Sequence, residues 1–142
     1  MIESLNDLVN ILEKNYNNSN IENLIQYIEK YNGIDWIQYI DFYSIFNRSK
    51  VYTSLNFDIF VISWSKGYTT PLHSHPENGC ILKVLQGELL ETIKQNDNIE
   101  IINKYETNNV SYMHNNKGSH QIEALTSTFS LHVYSPSGFY KT

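Results

Sequence analysis

Two histidines separated by one residue, His73 and His75, have the clearest potential for chemistry in this sequence. Residues two apart on an extended strand point to the same side, so both imidazoles can be directed at one point. Imidazole binds iron, zinc, copper and nickel alike, and the pair therefore indicates a metal site without selecting the metal. A bare pair of this kind is more often found on a surface turn, so the surrounding residues must decide between these interpretations.

The surrounding residues favour the metal site. Gly67 lies six residues before His73, and Cys80 is followed seven residues later by Gly87. This arrangement resembles the first motif of the cupins, in which Gly-x5-His-x-His is followed by a glutamate and then a glycine. Cys80 stands in the place of the glutamate. The resemblance implies a small jelly-roll barrel that holds a metal ion in its interior.

A third ligand is expected from a later strand on the other side of such a barrel. The segment from Lys117 to His120 partly resembles the core of the second cupin motif, and His120 begins a strand-like run. On its own, an ordinary loop histidine would explain His120 equally well. His114 competes for the role, but it stands in Met-His-Asn-Asn-Lys, which is typical of an exposed turn. We therefore favour His120 as the third ligand.

The elements that must position these residues are mainly strands. From about Tyr52 onward, short runs of β-branched and aromatic residues alternate with turn signals such as Lys66-Gly67 and Gln86-Gly87. The predicted strands are Phe57–Trp64, Ile81–Leu85, Glu88–Ile93, Ile99–Ile102, Asn109–Met113, His120–Ala124 and Phe129–Tyr134. Strands of this length and spacing predict an all-β sandwich or barrel.

The first third of the sequence is predicted to contain three helices. The apolar residues that recur at helix spacing are Leu5, Leu8, Val9 and Leu12 in a first helix and Leu24, Ile25 and Ile28 in a second. Ser19-x-x-Glu22 predicts a capping box at the start of the second helix. A third helix is expected to begin near Asp35, with Trp36, Tyr39, Ile40 and Tyr43 on its buried side.

The length of 142 residues fits one domain with one core. We expect a mainly β fold in which a helical segment, residues 1–46, packs on a β-barrel formed by residues 50–142. Apolar residues make up 41% of the sequence and charged residues 18%, as in an ordinary globular protein.

Charge and hydropathy argue against several classes of protein. The net charge of −5 leaves no basic stripe that could neutralise phosphates, so we expect no nucleic-acid partner. No apolar run reaches membrane-spanning length, and the amino terminus lacks the basic and hydrophobic regions of a signal peptide. Cys80, the single cysteine, permits no internal disulfide, which agrees with a reducing compartment. A cytoplasmic monomer without membrane contact is the expectation.

Cysteine in place of the cupin glutamate is the point at which cysteine dioxygenases depart from the general cupin pattern. Two segments closely resemble that family, namely residues 73–92 and Phe129-Ser-Leu-His-Val-Tyr-Ser-Pro. The resemblance extends over nearly the whole sequence. It implies an oxidoreductase with non-haem Fe(II) held by His73, His75 and His120, which oxidises L-cysteine with O2 to cysteine sulfinate. Because the three ligands are neutral, the substrate thiolate would supply the missing negative charge.

The resemblance also implies roles for four residues beside the metal. In the mammalian-type enzymes a cysteine and a tyrosine form a thioether crosslink beside the iron, and the matching residues are Cys80 and Tyr134. Ser130, His132 and Tyr134 alternate along a strand and therefore share one face. This spacing matches a Ser–His–Tyr relay of the family, in which Tyr134 would donate a hydrogen bond near the reacting oxygen.

A substrate-binding arginine is the last feature that the resemblance implies. Phe46-Asn47-Arg48 resembles the Tyr-x-Arg motif of the family, with phenylalanine in place of tyrosine. Arg48 would bind the substrate carboxylate, for which a planar bidentate donor is well suited. A solvated surface arginine is the rival interpretation. Arg48 is the only arginine in the sequence, so an arginine clamp, if there is one, must use it.

Two alternatives remain open from the sequence. Related thiol dioxygenases act on 3-mercaptopropionate, cysteamine or an amino-terminal cysteine, and the first of these shares the carboxylate that Arg48 would bind. The other alternative is a metal-binding cupin that binds a ligand without turnover. It is motivated by the carboxyl terminus, because family members commonly continue well past the Tyr-Ser-Pro segment, whereas this sequence ends eight residues after Tyr134.

Overall fold

Two short α-helices precede eight β-strands in the part of the chain that the structure, a computed structural model, describes: residues 1–18, 21–95 and 98–140. The helices are α1 (Leu5–Asn15) and α2 (Ile25–Lys30). The strands are β1 (Phe46–Thr53), β2 (Asp58–Trp64), β3 (Gly79–Gln86), β4 (Glu88–Lys94), β5 (Glu100–Glu106), β6 (Val110–Met113), β7 (Ser119–Ala124) and β8 (Thr128–Ser135). Single turns of 3-10 helix cover Glu22–Leu24, Asp35–Tyr39 and Asn115–Lys117.

The strands form two antiparallel sheets rather than a closed barrel. One sheet has the order β1-β2-β8-β3-β6, and the other has the order β5-β4-β7. Within the described residues, isolated bridges at Thr69 with Glu123 and at His73 with His120 connect β7 to the segment between β2 and β3, and no continuous ladder joins the two sheets. The prediction of a closed β-barrel was therefore wrong in this respect, whereas the mainly β fold is confirmed.

The first predicted helix is confirmed, and its apolar stripe is the reason that it forms. Leu5, Leu8, Val9 and Leu12 are all buried. The side chain of Ser4 caps the helix by accepting a hydrogen bond from the amide of Asp7 at 3.0 Å. The second helix is also present, as α2 after a 3-10 turn. Ser19, the first residue of the predicted capping box, lies outside the described residues.

The prediction of a third α-helix near Asp35 was wrong. The chain makes only a 3-10 turn there, over Asp35–Tyr39, and Tyr43 is fully exposed rather than buried. The physical cause is the side chain of Asp41. Its carboxylate accepts hydrogen bonds from the amides of Tyr43 and Ser44 and from the Ser44 hydroxyl, which stabilises a turn in place of another helical turn.

The boundary between the helical and the β part also differs from the prediction. Strand β1 begins at Phe46, so the β part starts before residue 50 and a strand occupies the end of the 1–46 segment. Strand β1 pairs along β2, with Phe46 opposite Trp64 and Arg48 opposite Ile62. The seven strands predicted from the sequence are all present as β2 to β8.

Side-chain alternation divides the large sheet into two faces. Ile59, Val61, Ile81, Leu131 and Val133 share one buried cluster with the apolar residues of α1 and α2. Their neighbours along the same strands form a second cluster with residues of β4 and β7. The members of this second cluster are Phe60, Ile62, Trp64, Cys80, Leu82, Val84, Leu89, Ile122, Ala124 and Tyr134. The helices therefore cover one face of the sheet, and the other face is available for a site between the sheets.

A buried lysine of the large sheet forms hydrogen bonds to the end of helix α2. Lys83 of β3 is 2% exposed, and its ammonium donates to the carbonyls of Ile28, Glu29 and Tyr31 at the end of α2. These carbonyls lie at the end of the helix, where carbonyls lack regular α-helical amide partners, and a cation is favoured at a helix carboxyl terminus. Burial lowers the pKa of Lys83, and the three acceptors offset this cost.

None of the helices in the described ranges is both long and apolar enough to cross a membrane.

Candidate active site

The three predicted metal ligands converge on one point between the sheets. His73 and His120 lie opposite each other and exchange two backbone hydrogen bonds, of 2.9 and 3.0 Å. His75 lies two residues beyond His73, in the loop that leads to β3. The Nε2 atom of His120 is 2.8 Å from the Nε2 atoms of both His73 and His75. The ligand nitrogens of the three residues all lie within 4.8 Å of one another.

Hydrogen bonds to the Nδ1 atoms of two of the three histidines orient their rings for metal binding. The Nδ1 atom of His73 lies 2.8 Å from the carbonyl oxygen of Pro71, and Nδ1 of His120 lies 2.7 Å from a carboxylate oxygen of Glu91. Both partners accept a hydrogen bond from a protonated Nδ1. In each ring, Nε2 therefore carries the lone pair, which is directed at the shared point. Burial lowers the pKa of His73 to about 4, so this ring is neutral at neutral pH, as a ligand must be.

Glu91 is a site residue that the sequence reasoning missed. Its side chain is completely buried and accepts hydrogen bonds from His120, from the Tyr105 hydroxyl at 2.7 Å and from Asn103 at 3.5 Å. Burial acts to raise its pKa, but these hydrogen bonds outweigh burial and hold the pKa below its usual value. A buried carboxylate therefore lies directly behind one of the three histidines.

The predicted relay residues form a continuous hydrogen-bonded chain on the inner face of β8. Ser130 Oγ lies 2.8 Å from Nε2 of His132, and Nδ1 of His132 lies 3.1 Å from the Tyr134 hydroxyl. The indole N–H of Trp64 donates to Ser130 Oγ at 2.8 Å, a contact that the sequence did not suggest. Burial lowers the pKa of His132 well below its usual value and raises that of Tyr134, so both groups are neutral.

Cys80 and Tyr134 are direct neighbours across the β3–β8 ladder. Both side chains are buried. Burial raises the pKa of the Cys80 thiol, so it is not a thiolate at neutral pH. The structure therefore brings together the two residues that the sequence paired.

Arg48 lies in the site rather than on the surface. Its guanidinium carbon is 4.9 Å from the ring centre of Phe46 and 3.9 Å from that of Tyr140. The hydroxyls of Tyr134 and Tyr140 lie close enough to its charge for Arg48 to act against the rise that burial causes in their pKa values. Its buried Nε has no hydrogen-bond partner among the described residues. An unpartnered buried donor on a cation is typical of a site that receives an anionic ligand.

Most of these residues border one pocket. Its lining includes Arg48, His73, Cys80, Glu91, His120, His132, Tyr134 and Tyr140. His114, the competing ligand candidate, does not belong to the histidine cluster. Its ring accepts a hydrogen bond from the Asn116 amide beside a single 3-10 turn.

Comparison with known proteins agrees with this geometry. The family model described as "Cysteine dioxygenase type I" matches residues 1–140. The chain belongs to this family. Cysteine dioxygenase type 1 from Rattus norvegicus is 30% identical over 149 residues, which cover 94% of this chain and 74% of the relative. The corresponding human protein is 28% identical over the same shares of the two chains.

Solved structures support the cupin fold. An RmlC-like cupin from Desulfovibrio desulfuricans is similar with a TM-score of 0.52 and 26% identity, over 64% of this chain and 82% of that one. Membership of the cysteine dioxygenase family makes the protein an oxygenase. Together with the three-histidine cluster, it indicates a thiol dioxygenase with a bound metal.

Proposed function

We propose that the protein is an iron-dependent dioxygenase that oxidises L-cysteine to cysteine sulfinate. The observation that carries the proposal is the position of Arg48 in the same pocket as His73 and His120, two of the three histidines whose ligand nitrogens converge. The pocket combines ligands for a metal ion with a cation for a carboxylate. A small thiol that also bears a carboxylate fits this combination, and the cysteine dioxygenase type 1 relatives point to cysteine.

His73, His75 and His120 would hold the iron. Three neutral nitrogens leave positions on an octahedral Fe(II) ion for further ligands. When bound, iron would bring the thiolate and dioxygen together and activate the oxygen. Pro71 and Glu91 fix two of the rings in the tautomer that this binding requires.

Arg48 would orient the substrate, because its guanidinium offers a planar pair of donors to a carboxylate. A chain of hydrogen bonds lies on the other side of the pocket. Trp64 donates to Ser130, and Ser130 in turn donates to His132. His132 then donates to the hydroxyl of Tyr134, so each group donates once. In this direction the phenolic proton of Tyr134 remains available for donation into the pocket. Ser130 and His132 are thus proposed to position Tyr134, which contacts the substrate.

We also propose a thioether between Cys80 and Tyr134. A bond between the sulfur and a ring carbon forms with loss of one hydrogen from each residue, and dioxygen accepts the two electrons. The crosslink would fix the phenol and consume the thiol. We expect partial formation, and only in iron-loaded protein exposed to oxygen. Peptide mapping after turnover should show a linked peptide that lacks two hydrogens, and protein in which both residues stay unmodified would refute the crosslink.

Anaerobic reconstitution with Fe(II), followed by cysteine and oxygen, tests the reaction itself. Cysteine sulfinate should appear with wild-type protein and with His114→Ala, which removes a histidine outside the cluster. His73→Ala should abolish the product. Stoichiometric iron without sulfinate would instead favour a metal-binding cupin without turnover. Faster oxygen uptake with 3-mercaptopropionate than with cysteine would assign the other carboxylate thiol as substrate.

The single-domain organisation of residues 1–142, the monomeric state and the cytoplasmic location stay predictions. Light scattering of the purified protein at several concentrations tests the second of these, because a dimer would double the mass.

A further inference from the structure

Tyr140 covers the guanidinium of Arg48 at the boundary of the pocket. The centre of its ring is 3.9 Å from the guanidinium carbon and 4.8 Å from the ring centre of Tyr134, with the two phenols edge to face. The Tyr140 side chain therefore contacts both residues that would face the substrate carboxylate and the reacting oxygen.

The segment that carries Tyr140 is held by buried groups of the large sheet. Ser135 at the end of β8 donates its hydroxyl proton to the carbonyl of Asn56 at 2.7 Å. The amide of Gly138 donates to the fully buried carboxylate of Asp58 at 2.8 Å. Gly138 has a φ of 87°, a conformation that other residues rarely adopt. This anchoring two residues before Tyr140 fixes the direction in which the chain returns over the pocket.

Arg48 has a second aromatic neighbour. Phe46 lies 4.9 Å from the guanidinium carbon and is itself stacked on Tyr68, with ring centres 4.6 Å apart. Arg48 and Tyr140 border the pocket that also contains Cys80, His73 and His120, and they border a second cavity beside Tyr68 and Pro71.

We propose that Tyr140 is a specificity-determining residue that restricts the enzyme to small thiols whose carboxylate is no farther from the sulfur than in cysteine. Its ring lies against the guanidinium of Arg48 and closes the pocket behind the carboxylate that the arginine binds. A thiol whose carboxyl group continues as an amide, such as an amino-terminal cysteine of a peptide, would have to displace this ring. The proposal rests on the proposed function for the identity of the substrate, but the position of Tyr140 over Arg48 can be tested without it.

Steady-state kinetics of iron-loaded wild type, Tyr140→Phe and Tyr140→Ala with cysteine and with cysteinylglycine test the specificity. In Tyr140→Ala, we expect KM for cysteine to rise about tenfold, because a desolvated cation–π contact is lost, with a smaller change in kcat. In the same variant, the ratio of kcat/KM for cysteinylglycine to kcat/KM for cysteine should also rise at least about tenfold. Tyr140→Phe keeps the ring and should keep the exclusion of the dipeptide. Tyr43→Ala removes a fully exposed tyrosine and serves as the control.

The single arginine provides a second measurement that needs neither metal nor turnover. Arg48 gives the one arginine Nε–Hε signal in a nitrogen–proton correlation spectrum. We expect an upfield shift of Hε from the ring current of Tyr140, retained in Tyr140→Phe and lost in Tyr140→Ala. Addition of 3-mercaptopropionate should move this signal, whereas cysteamine, which lacks the carboxylate, should not.

The two measurements separate the proposals. If no thiol is oxidised but the Arg48 signal depends on the ring at position 140 and on the carboxylate, the proposed function fails and the contact stands. If sulfinate forms while Tyr140→Ala leaves both the signal and the preference for cysteine over cysteinylglycine unchanged, the role of Tyr140 is overturned.

Discussion

Glu91 should control how tightly the three histidines hold their metal. Its carboxylate accepts the Nδ1 proton of His120 at 2.7 Å and is completely buried, so little solvent screens its charge. A hydrogen-bonded carboxylate raises the basicity of a ligand imidazole and fixes its orientation. Glu91→Gln removes the negative charge but keeps an oxygen that can accept the hydrogen bond from His120. Glu91→Ala removes both the charge and the acceptor.

The two variants should therefore differ in size of effect. Partners of ligand histidines typically contribute 10- to 100-fold to metal affinity, which corresponds to about 1.4 to 2.8 kcal/mol. We expect Glu91→Gln to weaken binding about tenfold, at the low end of this range. Glu91→Ala also leaves the Nδ1 proton of His120 buried without an acceptor, a cost of about 1–3 kcal/mol, so its loss should be near 100-fold.

Competition with a chromophoric chelator gives the metal dissociation constants under anaerobic conditions. Glu88→Gln is the matched control, because it removes the same charge from the same strand. The Glu88 carboxylate pairs with Lys104 at a half-exposed position and, in the described part of the chain, does not contact a histidine of the cluster. The thermal midpoint of each metal-free protein separates loss of affinity from loss of fold. Dissociation constants for both Glu91 variants within twofold of wild type, with intact metal-free folds, would refute the argument.

Three further predictions concern stability. Chelation of the metal should lower the thermal midpoint, because a ligand at about 1,000 times its dissociation constant stabilises the native state by about 4 kcal/mol; an unchanged midpoint would contradict a resident metal. Lys83→Met keeps the buried stem but leaves three carbonyls without their donor, and urea unfolding should show a loss of about 2 kcal/mol, against no loss for exposed Lys66→Met. In the same assay, Gly87→Ala should lower the free energy of unfolding more than Gly67→Ala does. Both glycines have positive φ, but only a Cβ at position 87 would lie 2.4 Å from Thr128 Oγ1. Equal losses of unfolding free energy would argue against that clash.

Local sequence was sufficient to propose His73 and His75 as ligands, because their spacing of two residues is itself the signal. His120 also needed the partial resemblance to the second cupin motif, because an ordinary loop histidine would explain it equally well. Strand β1 could not be found this way. Its residues Asn47 to Lys50 have little strand preference, and the strand exists because β2 offers a long apolar partner.

Contacts between distant strands explain what the sequence did not reveal about the site. Glu91 stands between Leu89 and Ile93 on the buried side of β4, and a glutamate at an inward position was a usable signal. Tyr140 gave no such signal. Its contact with Arg48 depends on the register of β1 and on the path of the chain after β8, neither of which follows from local pattern.

The buried ammonium of Lys83 ties the two layers of the molecule into one cooperative unit. Separation of α2 from the sheet would break the three hydrogen bonds of the Lys83 ammonium and leave its charge beside apolar side chains, so detachment of the helix while β3 remains folded has a high free-energy cost. The backbone amides of α2 and β3 should therefore exchange with deuterium through the same opening. Because β3 also carries Cys80, the amino-terminal helices help to determine how often the oxidation site is exposed to solvent.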